Sequence, residues 1–384
     1  MDTVKWGFYT RHPWTLQGRQ TVRIQRHYCH RCERTYSEPP CRLVRGSWYG
    51  RDVHRCAVDQ WLHGRTSLRR AAEFIRSWIG GQERWLIWHP WLEREGEGCT
   101  LCASTIHRWL DRAGEYAEQG LKGQMAGIPC SYELGTDGMW VRLRGGVKRV
   151  MLMLEDSVSG VVWPPVVVED EDHRASWQAL FDRAAQAGLE LWRIQGVTSD
   201  GAWGLAQYMR WVLRRTDWQR CVLHLWRNLS RPLAHAVQGM PAEIAEETRK
   251  DLRALGREVL DALTPEQAQV ALAKLAAHPQ GAEVATFLRD HLESALVHLH
   301  HDGLNRVSPE WRWRDHRLRL SRGRNHGSDQ RQERAGLVWS IYHDFTRAQK
   351  RKERKRHYRH PGQSPLQAAG ASPGAVSYLD ALAV

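Results

Sequence analysis

Two aspartates stand in matching settings, Thr136-Asp137-Gly138 and Ser199-Asp200-Gly201, each at the end of an extended apolar run. Carboxylates that converge from strand ends suit hard divalent cations, which prefer oxygen ligands and keep water or phosphate as further partners. Two such ions about 4 Å apart activate a nucleophile and stabilise the leaving oxygen in an in-line phosphoryl displacement. Asp-Gly also marks turns, its commonest use, so either dipeptide alone says little. The pair, placed at two strand ends, says much more. A second constellation follows, Cys221-Val222-Leu223-His224 with the basic Arg227-Asn228. Its spacing leaves three readings open: metal binding, contact with a nucleic acid, or packing. With only two ligands in hand, packing or positioning is favoured over zinc.

The elements that must position these residues are legible in outline. Arg142 and Arg144 alternate with Val141 and Leu143, a half-buried strand starting around Asp137. Gly145-Gly146 turns it into the apolar run Val150 to Leu154. Val161 to Val168 gives a third strand, with Pro164-Pro165 marking a bend or an edge. Trp177, Leu180, Phe181 and Ala184 mark an amphipathic helix closed by Gly188. Leu191 to Val197 reads as a fourth strand ending at Asp200, then a helix from Trp203 to Arg214, then a fifth strand, Arg220 to Leu225. This α/β order of three meandering strands, then alternating helix and strand, resembles the ribonuclease H-like mixed sheet. In that fold the first and fourth strands are neighbours, which would bring Asp137 and Asp200 together.

The motifs carry a more specific likeness. Thr-Asp-Gly-Met-Trp140, Thr-Ser-Asp-Gly-Ala-Trp-Gly204 and Gln-Arg-Cys-Val-Leu-His-Leu-Trp-Arg-Asn-Leu229 resemble the Mutator-type bacterial insertion-sequence transposases of the DDE class. In that group a Cys-x-x-His element follows the second aspartate, matched here by Cys221 and His224. The resemblance implies a transposase that binds the terminal inverted repeats of its element and target DNA, and works as a dimer or larger assembly. It implies two Mg²⁺ ions, replaceable by Mn²⁺, held by Asp137, Asp200 and a third acid. It also implies a helical insertion before the last core helix. Residues 231 to about 300 are rich in Ala, Leu, Glu and Gln and read as three helices, 242–262, 265–278 and 282–300. His298, His300 and His301 read as histidines at a helix end facing solvent rather than as a metal cluster.

After that insertion the chain must return to the core. Val338, Ile341, Tyr342 and Phe345 mark a buried helical face, with Glu333 at its edge and Asp329 one turn earlier. The run Gly323 to Arg334 has the Asn-to-Glu character that the family shows before its catalytic glutamate. Glu333 is therefore the expected third acid, with Asp329 as its rival.

The rest of the chain reads as DNA-binding equipment. Residues 1–50 carry nine Lys/Arg against three acids, and residues 347–360 carry eight against one. A chain basic at its ends and near neutral between them grips a polyanion there, each neutralised phosphate releasing counterions. Solvated basic tails are the plainer alternative. Cys29-His-Arg-Cys32 has the spacing of a zinc knuckle and resembles half of a zinc ribbon, truncated or degenerate, so Cys29 and Cys32 are candidate Zn²⁺ ligands. Residues 51–120 resemble a helix-turn-helix, with Thr105, His107, Arg108 and Arg112 facing DNA. His224 and Arg227 join these as expected DNA contacts, as do Lys350, Arg351, Lys352, Arg354, Lys355 and Arg356 along phosphates. The expected divisions are 1–50, 51–120, a core over 130–230 and 316–350, the insertion 231–315, and a basic tail 351–384. No run of 18 apolar residues offers a membrane span, the start lacks a signal peptide's apolar core, and eight irregularly spaced cysteines do not form a secreted disulfide pattern. A cytoplasmic, nucleoid-associated protein is expected. The 20 tryptophans have no account at this level.

Overall fold

The computed structural model describes residues 3–64, 66–80, 99–125, 127–309, 328–346, 362–371 and 377–382. They divide into two compact units, Met1–Glu118 with Val376–Val384, and Gln119–Ala375.

The first unit opens with β1 (Thr3–Arg11), β2 (Trp14–Thr15), β3 (Gly18–Arg19), β4 (Val22–Cys29) and β5 (Arg34–Ser37). The antiparallel sheet β1-β4-β5 buries Val22 and Ile24 against Leu43 and Tyr9. On β4 two arginines, one on each face, lie over aromatics of β1, Arg23 at 4.0 Å from the Phe8 ring and Arg26 at 5.4 Å from Tyr9. Three helices follow: α1 (Arg51–Leu62), α2 (Leu68–Gly80) and α3 (Ala103–Gln124). Ser67 starts α2 as its sequence context requires, its Oγ accepting from the Arg70 amide at 3.2 Å. At α3, Ser104 lies inside the helix. Cys102 takes the place before it, with its Sγ 3.0 Å from Ser104 Oγ and 3.3 Å from Thr105 Oγ1. Those hydrogen bonds pull the Cys102 thiol down to about 7. The last residues of the chain are more than a tail: a short helix, Tyr378–Ala381, bonds Asp59 of α1 through the Tyr378 hydroxyl.

The second unit is built on one five-stranded mixed sheet. Its strands are β6 (Glu133–Arg142), β7 (Lys148–Asp156), β8 (Val162–Val168), β9 (Gly196–Ser199) and β10 (Asp217–Arg220), in the order β10-β9-β6-β7-β8. β6, β7 and β8 form an antiparallel meander, whereas β9 runs parallel to both β6 and β10. The helices α4 (Arg174–Gln186) and α5 (Trp203–Trp211) connect the later strands. On α4, Trp177, Leu180, Phe181 and Ala184 are buried at helical spacing, as the sequence pattern requires.

Two strands differ from expectation for one reason, which is that a strand exists only where a neighbour completes its ladder. Gly196–Ser199 pairs on both sides, but Leu191–Arg193 coils into a single 3₁₀ turn. The fifth strand ends at Arg220, and the apolar run beyond it becomes helix α6 (Val222–Asn228). A short apolar run fits either state, and here the last rung, Cys221 N to Ser199 O at 2.6 Å, ends the sheet.

The insertion is helical, as expected: α7 (Ser230–Ala236), α8 (Ala242–Leu260), α9 (Pro265–Ala277) and α10 (Ala282–Ala295). They share a core of Leu229, Leu233, Leu252, Val259, Leu272 and Leu288. Thr264 caps α9 by accepting from Gln267 N, with Pro265 in the first turn where its missing N–H costs nothing.

The chain then returns to the sheet through two histidines expected to face solvent. His298 instead bonds Gln219 through both its backbone N and its ring. His301 bridges Glu133 at 2.5 Å and Asp217 at 2.8 Å. Burial works against the His301 imidazolium, but its bonds to Asp217 and Glu133 outweigh that and raise its pKa. A raised histidine stabilises fully below its unfolded pKa and loses that contribution as pH climbs through the higher folded value. His301→Ala is therefore expected to cost about 2 kcal/mol at pH 6. Thermal melts should show this penalty shrinking toward pH 9, and a penalty independent of pH would refute the charged bridge.

The last described core helix, α11 (Asp329–Phe345), is capped by Ser328 accepting from Arg331 N. It is buried almost all round between Ala335 and Tyr342 and lies along the outer edge of β8. Two of its acids bind outward-pointing edge amides: Glu333 takes Val167 N at 2.9 Å, and Asp344 takes Val162 N at 2.9 Å. Covering these amides protects a strand that would otherwise pair with another chain.

Candidate active site

Asp137 sits on β6 and is 4% exposed; Asp200 follows the last residue of β9 and is half-buried. Their relation comes from the parallel register of the two strands, in which Gly135 stands opposite Thr198. Asp137 lies two residues beyond Gly135 on β6, and Asp200 lies two residues beyond Thr198, just past the end of β9. Alternation puts the Asp137 side chain on the same side of the sheet as Gly135 and Thr198. Asp137 lies in the middle of β6, whereas Asp200 follows the carboxyl end of β9, where open α/β sheets form binding crevices.

Each carboxylate is held by its own loop or neighbour. Asp137 Oδ1 accepts from Gly138 N at 2.8 Å, and its Oδ2 accepts from the Ser308 hydroxyl at 3.0 Å. Asp200 Oδ1 accepts from Ala202 N at 3.0 Å. Gly201 follows with φ of 93°, and a Cβ there would lie 2.5 Å from Arg220 Nε, so this position needs glycine on both counts. Burial pulls the Arg220 pKa down, and the nearby Asp200 charge partly offsets this. Arg220 also contacts His291 of the insertion at 3.0 Å.

Cys221 is fully buried and stands between β10 and α6. Its sulfur accepts from Ser308 N at 3.2 Å. Burial favours the neutral thiol, but hydrogen bonds from His224 and Ser308 outweigh it and leave the thiol below its ordinary value. The Cys-x-x-His element therefore lies on the first turn of α6 rather than on a strand, and it packs against Ser308. Ser308 is the residue that sequence reasoning missed. It is completely buried, lies 171 positions from Asp137, and contacts Asp137, Cys221 and the His224 ring (3.5 Å) at once. No local motif announces it.

The expected third acid is elsewhere. Glu333 binds Val167 N on the outward side of β8 and Arg183 of α4 at 3.3 Å. That places it beyond the edge strand, while Asp137 lies two strands inward, roughly 10 Å across the sheet. Its rival Asp329 pairs with Arg149 of β7 at 3.1 Å. Arg149 alternates onto the Asp137 face, one strand from β6. Among the described residues no group of three His, Cys, Asp or Glu forms a ready metal cage. Asp137 and Asp200 nonetheless fit Mg²⁺ by chemistry, since that ion takes one or two carboxylates and completes its shell with water and phosphate.

The expected DNA-facing residues fall in several places. On α3, Arg108 and Arg112 are exposed and Thr105 and His107 half-buried, with Arg108 bonded to Thr105 Oγ1 at 3.2 Å. Arg112 and Arg51 add to burial in pushing His54 down to about 3. Arg227 is exposed and His224 half-buried on α6. Lys350, Arg351, Lys352, Arg354, Lys355 and Arg356 lie outside the described residues. Cys29 and Cys32 flank the turn between β4 and β5, half-buried and exposed respectively. No helix among the described residues is long and apolar enough to cross a membrane.

No curated protein matches the chain. A family model does match residues 165–300, a span that contains Asp200, Cys221 and His224 but neither Asp137 nor Glu333. It is the model described as Transposase, Mutator family, and the chain carries a Mutator-family transposase domain over those residues.

Proposed function

We propose that the whole chain is a DNA transposase of the DDE type, with a ribonuclease H-like core that cleaves and joins DNA strands at the ends of its own element. One observation carries this reading: β6 and β9 are adjacent parallel strands, with Asp137 and Asp200 each two residues beyond the paired Gly135 and Thr198. The sheet order, with the first and fourth strands of the core side by side, supports the fold assignment. Asp137 and Asp200 would hold the divalent ions, which when bound supply Lewis-acid stabilisation of the attacking and leaving oxygens. Ser308 fixes the Asp137 carboxylate by donating to Oδ2, and Cys221 fixes Ser308 by accepting its amide proton. Arg220 places a positive charge beside Asp200, where a phosphate would approach. Exposed Arg108, Arg112 and Arg227 would hold the flanking duplex. Cys29 and Cys32 would bind Zn²⁺ only with further ligands.

The first two turns of α11 hold both candidates for a third acid, each bound to other groups. Cleavage assays on Glu333→Gln and Asp329→Asn assign the role, because the true ligand should lose activity by orders of magnitude and the other should not. The binding of Glu333 at the β8 edge favours a second reading, a transposase-derived DNA-binding regulator without chemistry. Incubating the protein with DNA carrying the element ends, with Mg²⁺ or Mn²⁺, decides between them. Site-specific nicking supports the enzyme, whereas binding without nicking establishes the regulator. Equal cleavage of branched DNA lacking the ends points to a structure-selective nuclease.

Ser308→Ala should lower cleavage about 10–100-fold, the usual cost of losing a group that orients a metal ligand. The apparent Mn²⁺ affinity should fall with it, while duplex binding stays unchanged. Unchanged Mn²⁺ dependence would remove Ser308 from the site.

A further inference from the structure

The outer face of α5 and the adjoining β10 carry an aromatic and basic surface that the chemistry above does not use. Trp203 is 66% exposed and Trp211 54%. With Gln207 and Arg210 they form one stripe at helical spacing on α5, and Arg214 follows in the turn beyond it. The stripe borders a groove of about 680 Å³ whose floor includes Trp218. Arg210 and Arg214 lie 5.6 and 5.7 Å from the Trp211 ring. From Gly201 to Thr216 the chain has three arginines and no acid, and among the described residues no carboxylate lines the groove, the next acid along the chain, Asp217, being bonded to His301.

This groove adjoins the end of β9, on the face of the sheet opposite the Asp137 side chain. Trp218 Nε1 donates to Ser199 Oγ at 2.8 Å, on the residue before Asp200, and Trp203 follows Asp200 by three positions. Buried tryptophan satisfies the hydrophobic effect, but tryptophan left this exposed among arginines needs another account. Ring faces stack on bases of any sequence while guanidinium groups pair with phosphates. A duplex hides its base faces, so the rings fit unpaired nucleotides. A second copy of this chain fits poorly, because a twofold contact would set arginines against arginines with no carboxylate to meet them.

We infer that the α5–β10 groove holds an unpaired stretch of the DNA that this chain binds, an inference that rests on the transposase reading above. The test uses the full chain and a short labelled oligothymidylate, with binding followed by fluorescence anisotropy at low salt. Joint replacement Trp203→Ala and Trp211→Ala should weaken binding at least tenfold, since stacking on one ring commonly contributes about that factor. Trp203→Phe with Trp211→Phe should stay within about threefold of the native protein, and affinity for a duplex of matched length should not change. Arg210→Gln and Arg214→Gln leave the rings in place and should each reduce the slope of log K against log salt by about 0.7. Native affinity in the alanine pair, or an unaltered salt slope in the glutamine variants, overturns the inference. So does a change of sedimentation behaviour without loss of oligothymidylate binding, which would make the groove a protein contact. Oligothymidylate binding needs no strand cleavage, so a failure of the Asp137 and Asp200 assignment appears separately, in the nicking assay.

Discussion

Asn in place of Asp137 or Asp200 is expected to reduce metal-dependent strand cleavage by at least about 10³-fold, several kcal/mol of lost charge stabilisation. Each carboxylate stands two residues beyond a paired position on adjacent parallel strands, and in the proposed mechanism removing either charge leaves one anionic ligand where a divalent pair needs two. Asparagine keeps the shape of the side chain. At position 137 its carbonyl oxygen can still accept from Ser308 or from Gly138 N, and at position 200 from Ala202 N. Folding and duplex binding should therefore survive, and a thermal melt with a gel-shift assay checks both. Cleavage by Asp137→Asn or Asp200→Asn at the native rate, with native metal dependence, would end the assignment of these two residues. Because the effects of groups that act as a unit do not add, the double variant should be little worse than either single one.

Trp177→Ala is expected to have the largest effect on stability, a loss of about 3–5 kcal/mol. That is a large part of the 5–15 kcal/mol by which a typical domain is folded. Trp177 is fully buried on α4, and its Nε1 donates to Glu171 O at 2.7 Å. This bond fixes the loop before α4, against which Gly204 of α5 packs so closely that a Cβ would lie 2.7 Å from Glu171 O and His173 O. One side chain therefore fills core volume and also sets the distance between two helices. Chemical denaturation should show a lower midpoint with little change in slope. Trp177→Phe should recover much of the packing but not the hydrogen bond, and so fall between the two. A midpoint in Trp177→Ala equal to that of the native protein would refute this account of the α4–α5 contact.

The tryptophans show where local reading stops. Trp163, Trp177 and Trp339 are buried to within 1% exposure, whereas Trp48, Trp192 and Trp203 are each more than 60% exposed. Their immediate sequences do not separate these groups. Trp203 follows an aspartate-glycine turn and begins a helix, which fixes its backbone, but only the packing of α5 on α4 decides that its ring points outward.

What the sequence determined by itself was local. Alternation drew the second half of β6, apolar runs drew β7 and β8, helical spacing drew α4, and composition drew the insertion helices. Of the two Asp-Gly pairs, Asp200-Gly201 does follow a strand end, whereas Asp137-Gly138 lies in the middle of β6. These features depend on a few neighbouring residues, so the chain displays them before it folds. Tertiary structure alone decided which side chains meet. It delivered Ser308 to Asp137 across 171 positions, carried Glu333 to the far edge of β8, and turned His298 and His301 inward. It also made a helix of Val222–Asn228, where the sheet had run out of rungs. Each outcome depends on the register and approach of distant segments, where one residue of slip turns a side chain to the other face.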